Sequence, residues 1–118
     1  MKDSFIYTKS LAFGVRCIKF YQYLKGKQVF VISKQLLRSG TSIGANVRES
    51  RFAQSPADFI SKLSIALKEA EESQYWLELL FNADLITDKE FQSMNNDIDE
   101  IIALLVSSLK TYRNSQNV

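Results

Sequence analysis

The side chains best suited to chemistry in this sequence are a group of carboxylates in its second half. Glu69, Glu71, Glu72 and Glu78 fall within one predicted helix, and paired carboxylates can bind a metal ion or transfer protons. The sequence contains no histidine, however, and di-iron bundles require Glu-x-x-His pairs. The helical spacing also turns most of these carboxylates away from the predicted core. We therefore expect no metal, no cofactor and no catalytic residue.

Cys17 is the only cysteine, so it can form neither an internal disulfide nor a CxxC site. It lies on an apolar arc of its predicted helix and has no histidine to act as its base, which indicates a small buried hydrophobe rather than a nucleophile. The absence of histidine also excludes a Ser-His-Asp triad and an HExxH motif, and no P-loop or GxGxxG motif occurs. These observations indicate a protein that is not an enzyme.

Charge is distributed unevenly along the chain. Residues 1–62 carry 11 Lys/Arg and 3 Asp/Glu, whereas residues 63–118 carry 4 Lys/Arg and 10 Asp/Glu, and the whole chain has a formal charge of +2. Two explanations are open at this point. Either the two halves pair with each other, or the first half presents a basic face to an acidic partner.

Five basic residues, which we call the basic stripe, are the candidate nucleic-acid contact: Lys34, Arg38, Arg48, Arg51 and Lys62. The first three fall within about 80° of one another on a helical wheel, with Arg51 further round. Glu49 is the only carboxylate on this face. One interpretation is an ordinary solvated surface. The other is contact with RNA or DNA phosphates, which repetition around a ring would strengthen through avidity.

These residues are positioned by four predicted helices, over about residues 4–25, 33–52, 56–82 and 88–113. Capping residues place the helix starts: Asp3 or Ser4, then Ser33, then Ser55 before Pro56, and finally the capping box of Thr87 and Glu90. Gly26 is predicted to end the first helix. The apolar run that follows it is predicted to pack against the bundle, and the polar tail from Asn114 to fray.

The second helix carries a seam of the kind found in packed bundles. Its members recur at spacings of four, three and four, and they are Leu36, Gly40, Ile43 and Val47. A flank of small polar residues beside it lets a neighbouring backbone come close, and comprises Ser39, Ser42, Asn46 and Ser50. Each helix has such a seam and the connections are short. The predicted fold is therefore all-α, an antiparallel up-and-down four-helix bundle forming a single domain over residues 1–118.

Two of the helices carry large apolar side chains outside their main seams. A second apolar arc on the first helix and a set nearly opposite the seam of the third are the candidate oligomer interface: Tyr7, Leu11, Ile18, Ile65, Trp76 and Leu79. Exposed aromatic and aliphatic side chains are typical of protein–protein interfaces. They predict self-association, which for most proteins gives a closed symmetric oligomer.

Asn46 and Glu49 form a polar pair one turn apart beside the seam of the second helix. Such a pair can fix the packing of a helix or can recognise a partner. The sequence leaves both interpretations open.

Three stretches of sequence resemble the small "four helix bundle" family, which is also named for proteins encoded in intervening sequences of bacterial 23S ribosomal RNA genes. Residues 35–49 (QLLRSGTSIGANVRE) resemble its helix-two signature, and the later motifs lie in 58–70 and in 75–80 (YWLELL). The resemblance covers the chain from the first helix to the fourth. Many members read Asn-Ile-Ala-Glu-Gly where residues 46–50 are NVRES, so the chain resembles the Arg-Glu branch.

The resemblance implies an antiparallel four-helix bundle and a pentameric ring, and it assigns no enzymatic activity. The accessory variability proteins of diversity-generating retroelements, a related group, are basic pentamers that bind nucleic acid together with a reverse transcriptase. We therefore expect a homopentamer whose partner is RNA or DNA, bound through the basic stripe. The alternative is a scaffold that docks a protein partner without nucleic acid. No apolar run reaches the ~20 residues of a membrane span and no secretory leader is recognisable, so we expect a cytoplasmic protein.

Overall fold

Four helices form a closed ring of neighbours around one core. The structure, a computed structural model, describes residues 2–116 and the side chains of residues 5–115. Its helices are α1 (Lys2–Gly26), α2 (Val31–Ser50), α3 (Pro56–Asn82) and α4 (Asp88–Gln116). Each helix packs on the next and α4 packs on α1, whereas the backbones of α1 and α3 lie diagonally and do not approach closely within the described residues. The predicted four-helix bundle is confirmed.

Contacts between the helices show that neighbours run antiparallel. The first turn of α3 meets the end of α4, where the rings of Phe59 and Tyr112 are 4.5 Å apart. At the opposite end of this pair, the rings of Phe81 and Phe91 stack at 4.8 Å. The bundle is elongated along the helices, measuring 51 × 21 × 21 Å.

The starts of α3 and α4 follow the predicted capping chemistry. The Ser55 hydroxyl accepts a hydrogen bond from the Asp58 backbone N–H at 3.0 Å, and Pro56 occupies the first turn. At α4 the bonds are reciprocal: Thr87 Oγ1 accepts from the Glu90 N–H at 3.1 Å, and Glu90 Oε1 accepts from the Thr87 N–H at 2.8 Å. Both sets satisfy donors that a helix start otherwise leaves unpaired.

The start of α2 was predicted wrongly. The helix begins at Val31, and Phe30 occupies the cap position without a side-chain hydrogen bond. Ser33 therefore lies inside the helix, where its hydroxyl donates to the carbonyls of Val29 and Phe30. The reason is tertiary packing: Val29 and Ile32 pack against the core, and their burial outweighs the preference of serine for a cap.

Three other helix ends also differ from the prediction. α1 begins at Lys2, ahead of the predicted caps Asp3 and Ser4, whose side chains lie outside the described set. α2 ends at Ser50, two residues before the predicted end, and Arg51 takes the cap position. α4 continues to Gln116 through the tail that was predicted to fray.

Two helices end in left-handed residues that are not glycine. Gln28 has φ 65° and Asp84 has φ 61°. After each of them the chain closes a hydrogen bond of the same type. The Val29 N–H donates to the Leu24 carbonyl at 3.0 Å, and the Leu85 N–H donates to the Leu80 carbonyl at 2.9 Å. These are Schellman motifs, which more often place glycine at the left-handed position. Gly26, predicted to end α1, is the last helical residue and has no positive φ.

The core is formed by the predicted seams. All four seam residues of α2 are buried, together with aliphatic side chains from the other helices and Phe13 and Cys17 of α1. Small residues bring α2 close to both of its neighbours. The hydroxyls of Ser39 and Ser73 meet at 2.8 Å between α2 and α3, and Ser73 also donates to the Glu69 carbonyl.

Gly40 marks the tightest approach between α1 and α2. A Cβ atom at this position would lie 2.3 Å from Cys17 Sγ and 3.4 Å from the Phe13 ring. Both of these side chains are buried, so neither has open space to move into. The spacing of the two helices therefore depends on a residue without a side chain.

We expect Gly40→Ala to lower the free energy of unfolding by about 1–3 kcal/mol, even though alanine favours helix by ~1 kcal/mol, because the added methyl group overpacks the seam. Adding Cys17→Ala removes the closest atom and should restore part of the loss in a double-mutant cycle. Gly26→Ala is the control, since a Cβ there meets nothing within 4 Å. Urea unfolding measures all five chains: the wild type, the two single variants and the double variant of the cycle, and the control. Wild-type stability of Gly40→Ala would contradict the close approach.

Candidate interaction surface

The basic stripe does not form one continuous patch. Lys34 and Arg48 lie on the same helix but are about 21 Å apart along its axis at 1.5 Å per residue. Arg51 caps the end of α2, and Lys62 lies in the second turn of α3. A single phosphate could not be shared between the two ends of the stripe.

Two of the five stripe residues are neutralised by carboxylates of the same chain. Arg38 forms ion pairs with Glu69, at 3.5 Å, and with Glu72 on α3. Lys62 of α3 pairs with Glu49 of α2 at 2.9 Å. The hydrogen bond that Lys62 donates to Glu49, followed by the negative charge of Glu49, raises the pKa of Lys62 above its ordinary value. The basic first half and the acidic second half therefore pair, in part, inside one subunit.

The other three stripe residues have no carboxylate partner within the described part of the chain. The Arg51 guanidinium lies 5.0 Å from the centre of the Tyr7 ring, a cation–π contact that ties the end of α2 to α1. Arg48 and Lys34 are exposed. Next to Arg51, Phe52 leaves 76% of its surface in solvent.

Asn46 and Glu49 make separate interactions. Asn46 is half-buried and its amide donates to the Ser42 carbonyl of the same helix at 2.9 Å. Glu49 is exposed and bonds to Lys62 across the α2–α3 connection. Each side chain is held by a structural contact, and the two are not joined into one site.

The outer face of α1 presents a row of aliphatic side chains that we call the α1 ridge: Leu11, Val15 and Ile18. They expose between 45% and 54% of their surface. Leu11 and Ile18 were predicted as interface residues. Val15 was missed, although its spacing of four from Leu11 and three from Ile18 is the signal that places it on the same face.

A trough runs between the α1 ridge and α2. It has a volume of about 280 Å³, and its bottom is formed by small residues, Gly14, Thr41 and Gly44, which make it deep. Tyr7 and Arg48 also line it. Ser10 lies beneath it, fully buried, and its hydroxyl has no hydrogen-bond partner within the described residues. The side chains of the ridge could insert between those of another helix, and the trough could receive a side chain from it, as in knobs-into-holes packing.

The predicted interface residues of α3 are less exposed than those of α1. Trp76 is half-buried against the core, and its indole N–H donates to Glu72 Oε2 at 2.9 Å. Leu79 is also half-buried, while Ile65, about 21 Å away along α3, is exposed. Tyr75, which the sequence analysis did not select, is exposed and its ring lies 5.2 Å from that of Trp76.

Residues 2–116 form neither a metal-binding cluster nor a membrane-spanning helix. Within them, no three Cys, Asp or Glu side chains come together as metal ligands would. No helix among them has the length and apolar character needed to cross a membrane.

Comparison with known proteins identifies the family. The sequence profile described as "23S rRNA-intervening sequence protein" matches residues 2–107. The chain belongs to this family. A crystal structure of a family relative is similar throughout: a protein of unknown function from the S23 ribosomal protein family of Bacteroides thetaiotaomicron has a TM-score of 0.91 and 57% identity, and the match covers 93% of this chain and 99% of that one. No protein of curated function matches the sequence.

Cys17 is buried in the core of this family member, where its thiol is not accessible to a substrate. Burial raises the pKa of the thiol from 9.0 to about 12, against a smaller opposing effect of the positive charge of Arg16. The folded state therefore keeps the thiol neutral where the unfolded chain ionises it. The stability that this contributes is complete below pH 9 and is lost as the pH rises towards 12.

We expect iodoacetamide at pH 8.5 to modify Cys17 at least about a hundredfold more slowly in the folded protein than in urea, because only the thiolate reacts. The control is an exposed thiol, Ser107→Cys in a Cys17→Ala chain, which should react at similar rates in both conditions. Mass spectrometry over time gives the rates. Rapid labelling of native Cys17 would contradict its burial.

Proposed function

We propose that this family member is a non-enzymatic, self-associating helical module of the cytoplasm, whose copies form a ring, a pentamer by resemblance, that serves as a protein-interaction scaffold. The α1 ridge is the observation that carries the proposal. Three neighbouring aliphatic side chains stand about half exposed on one helix, beside a trough of small residues. Soluble monomers rarely leave such a row uncovered.

Covering the ridge supplies part of the free energy that assembly needs, against the cost of lost translational and rotational freedom. Full burial of a Val, Leu or Ile side chain contributes about 1.5–3 kcal/mol. Because these three are already half covered, their remaining burial contributes about 2–4 kcal/mol in each interface. The low floor of the trough lets the backbone of an incoming helix approach closely, which adds dispersion contacts.

The positions of the two outer faces favour a ring over a two-fold dimer. The exposed residues Ile65 and Tyr75 lie on α3, diagonally across the bundle from the α1 ridge. Exposed Lys25 flanks the ridge, and exposed Glu71 and Glu78 flank the α3 face. Different faces that complement each other in charge form head-to-tail contacts, and such contacts generate closed rings when the rotation permits.

We expect light scattering to give a mass several times the 13.5 kDa of one subunit. Ile18→Glu should shift the mass towards one subunit, because it places a charge in the apolar contact. Val106→Glu is the matched control, since Val106 on α4 is also 47% exposed but lies away from the ridge. A wild-type monomer, or an equal effect of both variants, would contradict the proposal.

A second candidate function is contact with RNA or DNA at the end of α2. It is favoured by Arg48 and Arg51, which lack carboxylate partners in the described residues, and by the exposed ring of Phe52 beside them. Guanidinium groups bind phosphates, and an exposed aromatic ring can stack on an unpaired base. The pairing of Arg38 and Lys62 inside the subunit reduces the stripe that was predicted for this role.

Filter retention of a structured RNA at ~100 mM salt tests this candidate, and binding should weaken steeply as salt is added. Arg48→Ala and Arg51→Ala should each reduce the salt slope by about one. Arg38→Ala should change it little, since Glu69 and Glu72 already hold that charge. The candidate fails if no RNA is retained at low salt, or if Arg48→Ala binds as the wild type does.

A further inference from the structure

The side of the bundle formed by α1 and α4 carries a groove that self-association through the α1 ridge does not use. It lies between the second half of α1 and the first turns of α4, with a volume of about 480 Å³. Phe20, Tyr23 and Met94 line it with apolar surface, and Lys19 and Lys89 stand at its edges. We call it the α1–α4 groove.

One end of the α1–α4 groove is closed by a fixed arginine. The Arg16 guanidinium donates to Asp97 Oδ2 at 2.6 Å, to the Ser93 hydroxyl at 2.7 Å and to the Ser93 carbonyl at 3.2 Å. These bonds clamp α1 to α4 at this level. These bonds fix the position of this end of the groove and the separation of α1 and α4 beside it.

The opposite end is held by aromatic and capping contacts. The rings of Phe20 and Tyr23 stack at 6.2 Å with an angle of 21°. Lys27 Nζ lies 5.0 Å from the centre of the Tyr23 ring. The hydrogen bond from the Thr87 backbone N–H, with a further one from Tyr23, keeps the pKa of Glu90 below its ordinary value. The apolar lining is thus preorganised, which lowers the cost of binding.

The charge around the α1–α4 groove is positive. Its lining contains three cations, Arg16, Lys19 and Lys89, and one carboxylate, Glu90. Arg16 is paired with Asp97, which lies outside the lining. Lys19 and Lys89 are exposed and have no carboxylate partner within the described residues. Asp88 is adjacent in sequence but does not line the groove. The positive end of the α4 helix dipole also faces this region.

We infer that the α1–α4 groove docks an acidic amphipathic helix of a partner protein, with the partner's apolar side chains against Phe20, Tyr23 and Met94 and its carboxylates on Lys19 and Lys89. The stretch from Arg16 to Tyr23 spans about 10 Å, or two helical turns. That length suits apolar anchors at positions i, i+3 or i+4, and i+7 of the partner helix. Phosphates alone would leave the apolar lining uncovered.

Selection of random 16-residue peptides displayed on phage tests this inference. We expect wild-type protein to enrich peptides with Leu, Phe or Trp at helical spacing between Asp and Glu residues. A labelled copy of the most enriched peptide should bind the Lys19→Glu/Lys89→Glu chain at least about tenfold more weakly in fluorescence anisotropy. The matched control, Lys68→Glu/Lys110→Glu, reverses two exposed lysines elsewhere and should bind as the wild type does.

Three results would overturn the inference: no enriched peptide, enriched peptides without acidic residues, or equal binding to both double variants. Light scattering separates it from the proposed function. Lys19→Glu/Lys89→Glu should keep the wild-type mass, and a fall in mass would overturn the inference by making the groove a subunit contact. The Ile18→Glu chain should still bind the peptide, whatever its own mass proves to be.

Discussion

The close approach of α1 and α2 is the constraint on which the rest of the structure depends. At Gly40 the two helices leave no space for even a methyl group beside Cys17. Because this contact is so tight, α1 must turn Phe13 and Cys17 inward, and its opposite side then faces solvent. The α1 ridge is a direct consequence, and so is the low trough beside it. An exposed apolar face thus follows from the packing of the core.

Pairing of charges within the chain decides how the basic residues can be used. The ion pairs of Arg38 and Lys62 join α2 to α3, and those of Lys9 and Arg16 join α1 to α4. Most of these pairs are exposed, so each contributes little to stability. Their larger effect is to reduce the field that the first half of the chain would otherwise present. Among the cations that remain, Arg48 and Arg51 lie at the end of α2, and Lys19 and Lys89 lie at the α1–α4 groove.

The sequence predicted the parts of the fold that depend on periodicity and on local hydrogen bonds. The seam from Leu36 to Val47 and the caps at Ser55 and Thr87 are found where they were expected. It failed at Ser33, where burial of neighbouring apolar residues moved the helix start by two positions. A cap preference of about 1 kcal/mol is readily outweighed by such burial.

The candidate surfaces were less predictable, because they depend on which helices become neighbours. A helical wheel placed Trp76 opposite the seam, but the adjacent Glu72 holds its indole and the core covers half of it. The same wheel placed Arg38 on an open basic face, although α3 supplies two carboxylates to it. Periodicity along one helix contains no information about the side chains that a second helix brings alongside.

The left-handed turns at Gln28 and Asp84 have a consequence for the evolution of this chain. Both residues occupy a backbone conformation that costs side chains other than glycine free energy, and both lie at the same end of the bundle, away from the α1 ridge. Exchanging either residue for glycine would therefore raise the free energy of unfolding, a gain in stability that this sequence does not use. Destabilising changes elsewhere, including those that would alter partner specificity, have this gain available to compensate them.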